Sequence, residues 1–334
     1  MNKIQAVIVA DSVDTRGNRI TSFLLTYPRF IHSELMTHRM FSRNSASSRA
    51  IPFEKMVKMI EEDPFIPIAW QKSHVGMQGT EYFTDKQSIS ECIQTWLVAR
   101  NNAIDESKIL NQIGATKQLC NRLLEPFMWH TVLVTTSVTN ESLLNFFELR
   151  CPKFDYLGQK LYKSRKDAIK ETNASLPYDD WYSWQKMNKS QAEIHIQALA
   201  ESMLDAMNES TPKELQPNEW HIPDFGLHKG LLEKYISDYF LSSPKTEIKI
   251  AVAHCAKLSY NNHGNSVDFA KDIKLYNQLL ASHHMSPFEH VAVVATDSQY
   301  RETYIHRNNN YEHGWFNNFR GFISYRYLIE NEKI

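Results

Sequence analysis

The sequence predicts an α+β fold, an antiparallel or mixed sheet packed with helices. Three observations carry this. Two apolar runs at the N-terminus, 4–10 and 19–26, flank a D-T-R-G-N turn and read as a strand pair. Several later stretches repeat apolar residues at helical spacing. The two kinds of element do not alternate as regular βαβ units, which argues against a doubly wound parallel sheet.

The chain has 334 residues, 42% hydrophobic and 22% charged, a globular balance. It reads as a single domain, with core segments 1–52, 86–150, 190–208 and 246–300 and an insertion at 151–189. A formal net charge of −1 gives no general pull toward nucleic acid or anionic lipid, so any phosphate binding must be local. No apolar run is long enough to span a membrane, and the N-terminus reads as a first strand rather than a secretory signal. Cys92, Cys120, Cys151 and Cys255 are scattered singly, with no C-x-x-C and no zinc spacing. Reduced thiols in a cytoplasm, or a host cytoplasm for a viral chain, are the expectation. There are 10 glycines and neither G-x-G-x-x-G nor G-x-x-x-x-G-K-[ST], so a nucleotide would be held by side chains.

In order, Tyr27-Pro28 ends the second strand and a helix runs toward His38. E-K-M-V-K-M-I-E-E-D after Pro52 predicts a short amphipathic helix, and 64–87 is irregular and aromatic. Ser88 and Glu91 form a capping box ahead of Ile89, Ile93, Trp96, Leu97 and Ile104, and Gly114 ends that helix. Thr116 to about Leu124 reads as a helix with Leu119 and Leu123 on one face. Residues 129–136 are β-branched and strand-like, and 141–150 are helical. Ser190 and Glu193 form a second capping box before the stripe Ile196, Leu199, Ala200, Met203, Leu204 and Met207, which reads as core. Residues 209–224 predict a proline-bearing ordered loop and 226–241 a helix. T-E-I-K-I-A-V-A-H-C-A-K-L-S-Y (246–260) predicts a strand, followed by a helix through Leu280 and a strand at V-A-V-V-A-T.

The stretch with the most chemistry is 31–52, I-H-S-E-L-M-T-H-R-M-F-S-R-N-S-A-S-S-R-A-I-P. An apolar run leads into His38 and Arg39, then small polar residues, then Arg49. Guanidinium forks and hydroxyls converging on a short loop suit phosphate groups. The same composition also suits a solvated loop after a helix.

Three segments together resemble the flavin-dependent thymidylate synthases, the ThyX family. T-H-R-M-F-S-R-N-S-A-S-S-R-A (37–50) is similar to the signature R-H-R-x-x-S-x-N-x-x-S-x-R-Y, matching at His38, Arg39, Ser42, Asn44, Ser47 and Arg49. N-R-L-L-E-P (121–126) and S-L-L-N-F-F-E-L-R (142–150) resemble A-R-x-x-L-P and S-L-x-N-F-L-x-L-R. Q-A-E-I (191–194) resembles a Q-x-E-I helix start, and H-M-S-P-F-E-H (284–290) is similar to H-x-[ST]-P-F-E-H. In the family that last segment precedes the signature; here it follows it, which implies a circularly permuted order with a strand–helix–strand unit, 246–296, moved to the C-terminus. The chain departs from the pattern at Thr37 and Ala50, where the family carries arginine and tyrosine, and at Glu34 and Ser45, where it carries an amide and an acid.

The resemblance implies a ThyX-like fold and reductive methylation of dUMP to dTMP. Methylenetetrahydrofolate would give the carbon, FAD carry the hydride and NADPH reduce the FAD. Arg150 would be catalytic, its guanidinium stabilising charge that develops on the pyrimidine. Glu34, Ser47, Ser48, Arg49, Arg122 and Arg150 would bind dUMP. His38, Arg39, Met40, Asn44, Asn145, His284, Ser286 and Glu289 would bind FAD, at the subunit interfaces of a homotetramer. No metal is implied. Other readings stand beside these: Arg122 as a surface ion pair with Glu125, Arg150 as a helix-end cation, and Ser286-Pro287 as an ordinary helix start. Asn145 interrupts an apolar face and would be a buried amide in need of partners. Cys151 follows Arg150 without a nucleophile's context and reads as structural. Two other functions remain open: a dUMP or dCMP hydroxymethylase on the same fold, motivated by Glu34, Thr37 and Ser45, and a non-catalytic nucleotide-binding relative.

Overall fold

The computed structural model describes residues 4–76, 81–156, 159–172, 192–224, 244–260, 268–307 and 310–331. The expected helix 226–241 and all of 173–191, Ser190 included, lie outside the described residues. The fold is α+β.

The sheet that positions the site has five strands. β1 (Gln5–Asp14) and β2 (Arg19–Pro28) form the expected hairpin, and β3 (Ser42–Ser45) and β4 (Trp129–Ser137) extend it. The order is β3-β4-β2-β1-β7, with β7 (Lys213–Leu215) parallel to β1 and every other pair antiparallel. β2 and β4 are central, so their β-branched and apolar residues are buried on both faces. Their register sets Leu24 against Leu133 and Tyr27 against His130.

The helices are α1 (His32–Met36), α2 (Phe53–Glu62), α3 (Lys86–Ile113), α4 (Lys117–Cys120), α5 (Leu143–Arg150) and α6 (Arg165–Thr172). After them come α7 (Ile194–Glu209), α8 (Pro244–Ala256), α9 (Phe269–Ala281), α10 (Asp297–Glu302) and α11 (Tyr325–Glu330). In the expected insertion, β5 (Lys153–Tyr156) and β6 (Gln159–Tyr162) pair ahead of α6. α7 buries Ile196, Leu199, Met203 and Leu204 with Phe23, Leu25, Phe146 and Phe147, the core under the sheet. A second cluster joins α8 and α9 to Phe288 and Val291 and to Tyr325 and Leu328 of α11.

Several expectations change. The largest is 246–260: the segment is helical, Pro244–Ala256 continuing into a 3-10 turn, not a strand. Apolar residues there fall on both parities, and Ile248, Ala251 and Val252 bury together as a helical face while Cys255 packs with Ala46 and Leu133. The unit at 246–296 is therefore helix–helix–strand, ending in β9 (Ala292–Val294). α3 is capped by Asp85, whose carboxylate accepts the Ser88 amide at 2.7 Å, not by Ser88. Its end at Gly114 is as expected, a left-handed residue at φ 97°. α7 is capped by Glu193 itself, which accepts the amides of His195 and Ile196.

The helix expected to Leu124 gives way after Cys120 to a 3-10 turn, Asn121–Phe127. Pro126 cannot continue an α-helix, and Asn121, Leu124 and Phe127 bury at three-residue spacing. Leu119 and Leu123 are left 60% and 41% exposed. The loop 209–224 holds two short strands, β7 and β8 (Trp220–His221). Trp220 pairs with Val293 of β9.

A buried polar chain runs from the first hairpin to the 284–290 segment. His221 contacts Ser12 through Nδ1 and Ser22 through Nε2, each at 2.9 Å. Ser22 meets Thr135 at 2.6 Å, and Thr135 meets His290 Nδ1 at 2.9 Å. Burial lowers the pKa of His221 to about 4 and of His290 to about 3, so both imidazoles are neutral at pH 7.

The Asn318–Gly321 tail lies beside the hairpin turn. β10 (Trp315–Phe316) and β11 (Phe319–Arg320) pair around Asn317, whose φ is 54°. At Gly321, φ 78°, a Cβ would sit 2.6 Å from Asp14 Oδ2 and 2.7 Å from Asn18 Nδ2. Only glycine lets the tail approach the D-T-R-G-N turn so closely.

Candidate active site

The 37–50 signature and the 284–290 segment meet. Asn44 projects from β3, donates through Nδ2 to the Cys255 carbonyl at 2.5 Å, and accepts the Ser286 hydroxyl at 3.0 Å. One amide thus joins β3, α8 and the 3-10 turn Ser286–Glu289. Phe288 inside that turn is fully buried and anchors it.

Beside this seam lies a cationic cluster. α1 is short, so His38 sits in the turn that follows it, stacked on Phe41 and edge-on to Phe146 at 4.6 Å. Arg150, the last residue of α5, donates through Nε to His38 Nε2 at 3.4 Å. Arg43 turns back to donate to the carbonyls of Met36 at 2.9 Å and His38 at 3.1 Å, satisfying the open end of α1. Burial first, then Arg150 and Arg43, lowers the His38 pKa to about 4, so it is a neutral acceptor at pH 7. Burial also lowers the Arg150 pKa, opposed by the Glu34 carboxylate. A half-buried guanidinium stripped of some water interacts strongly with anionic charge placed beside it.

A second cluster lies at the far end of the signature loop. The buried Asn121 donates to the carbonyls of Ser48 at 2.8 Å and Ile51 at 3.0 Å, fixing that loop against the 3-10 turn. Ser48 Oγ donates to Glu125 at 2.5 Å. Arg122 stands 3.8 Å and Arg29 3.7 Å from the same carboxylate. Arg29, His32, Ser33, Arg122 and Glu125 line one surface pocket. Arg29 donates to His130 Nε2 at 2.9 Å, which puts the His130 proton on Nδ1. Burial, with Arg29 and Arg43 adding to it, holds His32 near pKa 4. Arg49 is exposed and donates to Gln118 at 2.9 Å, and Ser47 is exposed beside it.

Set against expectation, the structure gathers Glu34, His38 and Arg150 in one cluster and Ser48 and Arg122 in the other. The surface ion pair expected as the alternative for Arg122 is present at 3.8 Å. Asn145 is exposed rather than buried, because α5 turns Leu143, Phe146 and Phe147 inward and leaves it on the outer side. Leu149 is exposed too. Glu289 pairs with Arg326 at 2.5 Å. Arg39 and His284 are exposed and Met40 half-buried; Arg39 has no ion-pair partner among the described residues. Cys151 is buried, and desolvation holds its thiol well above the ordinary range, so it is no nucleophile.

Sequence reasoning missed Arg29, His32 and Arg43, and gave Glu125 only as a surface partner of Arg122. Arg29 and Arg43 lie in or just before the signature at positions without periodicity, and only the folded turn of α1 brings them in. A flavin's pyrophosphate matches the free charge of Arg39 beside neutral His38. Asn44, Ser286 and Glu289 spend their polar atoms inside the chain, so the flavin set fits in part.

No family model matches the chain, and no curated protein matches it. Solved structures similar to it include a UMP/dUMP methylase, PolB, from Streptomyces cacaoi bound with 5-Br UMP. That likeness has a TM-score of 0.39 at 18% identity and covers 57% of this chain and 70% of that one. The same protein bound with 5-Br dUMP gives 0.39 at 17%, over 57% and 67%. A likeness this slight assigns neither a family nor an activity to the chain.

Proposed function

We propose that the chain is a flavin-dependent thymidylate synthase that methylates dUMP to dTMP with methylenetetrahydrofolate, FAD and NADPH. The observation that carries this is a convergence: three segments resembling one family's motifs, distant in sequence, lie side by side. Arg150 reaches His38 at 3.4 Å, and Ser286 reaches Asn44 at 3.0 Å.

In this reading the second cluster is the phosphate arm. Arg122, Arg29, Ser48 and the exposed Ser47 and Arg49 hold the nucleotide's phosphate through charge-assisted hydrogen bonds. The first cluster is the base arm. Arg150, backed by the neutral acceptor His38, lies against the pyrimidine carbonyl and stabilises negative charge developing on the ring, which makes C5 nucleophilic. Glu34 sets the field around Arg150. Bound FAD would supply the hydride, with His38, Arg39, Met40, Asn145 and His284 as the residues that would hold it. Asn44, Ser286 and Glu289 shape that wall. A homotetramer with FAD between subunits belongs to the same proposal.

A hydroxymethylase acting on dUMP or dCMP is the second reading, favoured by the Glu34 carboxylate beside Arg150. Weighing the product of a dUMP or dCMP incubation separates an added methyl from an added hydroxymethyl. In a non-catalytic relative neither product forms, and Arg150→Ala changes nothing.

A further inference from the structure

Glu125 is out of place in a site for an anion. It accepts the Ser48 hydroxyl at 2.5 Å and stands within 4 Å of both Arg29 and Arg122. These are the donors a phosphate group takes: a hydroxyl and two guanidinium groups around one centre. The groups facing the carboxylate come from every segment packed there. Arg29 comes from the turn before α1, Ser48 from the signature loop, Arg122 from Glu125's own turn, and His32 from α1.

We infer that Glu125 is an internal competitor for the ligand's phosphate, holding Ser48, Arg29 and Arg122 until a phosphomonoester displaces it. The inference rests on the reading of this cluster as the phosphate arm. His32 and His130 are neutral at pH 7. The carboxylate is thus faced by two guanidinium groups, with Arg49 exposed on the adjoining loop, and it cancels one of the positive charges that a dianion would otherwise meet. A neutral residue at 125 leaves both arginines and the Ser48 hydroxyl open to the ligand. The free protein loses a charge-assisted hydrogen bond by the same change. The substitution therefore moves two quantities in opposite directions: lower stability without ligand, tighter binding with it. A residue that merely positioned the arginines would lose both.

The test is calorimetric titration of wild type, Glu125→Gln and Glu125→Ala with dUMP and, separately, with inorganic phosphate, alongside thermal melts of the free proteins. Both variants should bind dUMP about five- to tenfold more tightly than wild type and melt at a lower temperature, the scale of one charge-assisted hydrogen bond in a partly exposed cluster. Unchanged or weaker dUMP binding in the variants, with wild-type binding intact, overturns the inference and leaves the functional reading standing. Wild type that does not bind dUMP sinks the functional reading instead. The phosphate titration then decides: tighter phosphate binding in the variants supports the competitor, and no gain overturns it.

Discussion

The Ser286 hydroxyl donates a 3.0 Å hydrogen bond to Asn44 Oδ1, joining residues 242 positions apart. The same Asn44 donates to the Cys255 carbonyl. This amide is the seam between the N-terminal sheet and the C-terminal helices.

Removing it should cost stability in a graded way. We predict that Ser286→Ala costs about 1 kcal/mol, one hydrogen bond, and Asn44→Ala about 2–3 kcal/mol, because the Cys255 carbonyl is also left without its donor. Urea unfolding measures both. Equal effects would mean that the Cys255 contact contributes nothing.

Arg150→Lys should retain the fold and lose turnover by about a hundredfold or more, as when a preorganised donor to developing charge is removed. A lysine keeps the charge but not the planar fork that reaches His38. Steady-state rates beside far-UV circular dichroism check this, and a variant with wild-type rates contradicts the role given to Arg150.

Stability should fall in acid through His221 and His290. In the unfolded chain each takes up a proton near pH 6.5, whereas in the fold they do so near 4 and 3. Between those values the unfolded state binds more protons, so their contribution is present above about pH 6.5 and is lost as pH falls toward 4. Each adds a slope of up to about 1.4 kcal/mol per pH unit. Urea midpoints at pH 7.5 and 5 should differ, and His290→Gln should flatten the difference.

Gly321→Ala should destabilise by about 2 kcal/mol or more. It combines a positive φ of 78° with a Cβ 2.6 Å from the Asp14 carboxylate. Gly17→Ala has a φ of 84° but open space around it, so it should cost less. Equal melting temperatures for the two variants would remove the case for a close approach between tail and hairpin.

Much of this was readable from residues. The N-terminal hairpin, the buried stripe of α7 and the glycine end of α3 follow from alternation, periodicity and backbone freedom, each a local signal. The convergence of 37–50, 121–150 and 284–290 was readable only as resemblance between distant motifs, since no periodicity relates Asn44 to Ser286. Residues 246–256 misled because β-branched isoleucines and valine suggest a strand, while packing against α9 and Phe288 selects the helix. Asn145 misled because it reads as interrupting a buried apolar face, whereas α5 buries a narrower stripe of Leu143, Phe146 and Phe147 that leaves it outside. Arg29 and Arg43 left no signal at all, and Glu125 only an i,i+3 pairing with Arg122: their shared roles exist only once the turns around α1 and Asn121–Phe127 bring them together.

The reaction product is the most direct measurement. Purified protein is incubated with dUMP, methylenetetrahydrofolate, FAD and NADPH, and the nucleotide product is weighed by mass spectrometry. The product should be dTMP, heavier than dUMP by one CH2, formed only when FAD is present and abolished by Arg150→Ala. A hydroxymethylated nucleotide, FAD-independent turnover, or unchanged dUMP from protein that has bound flavin would contradict the proposed function.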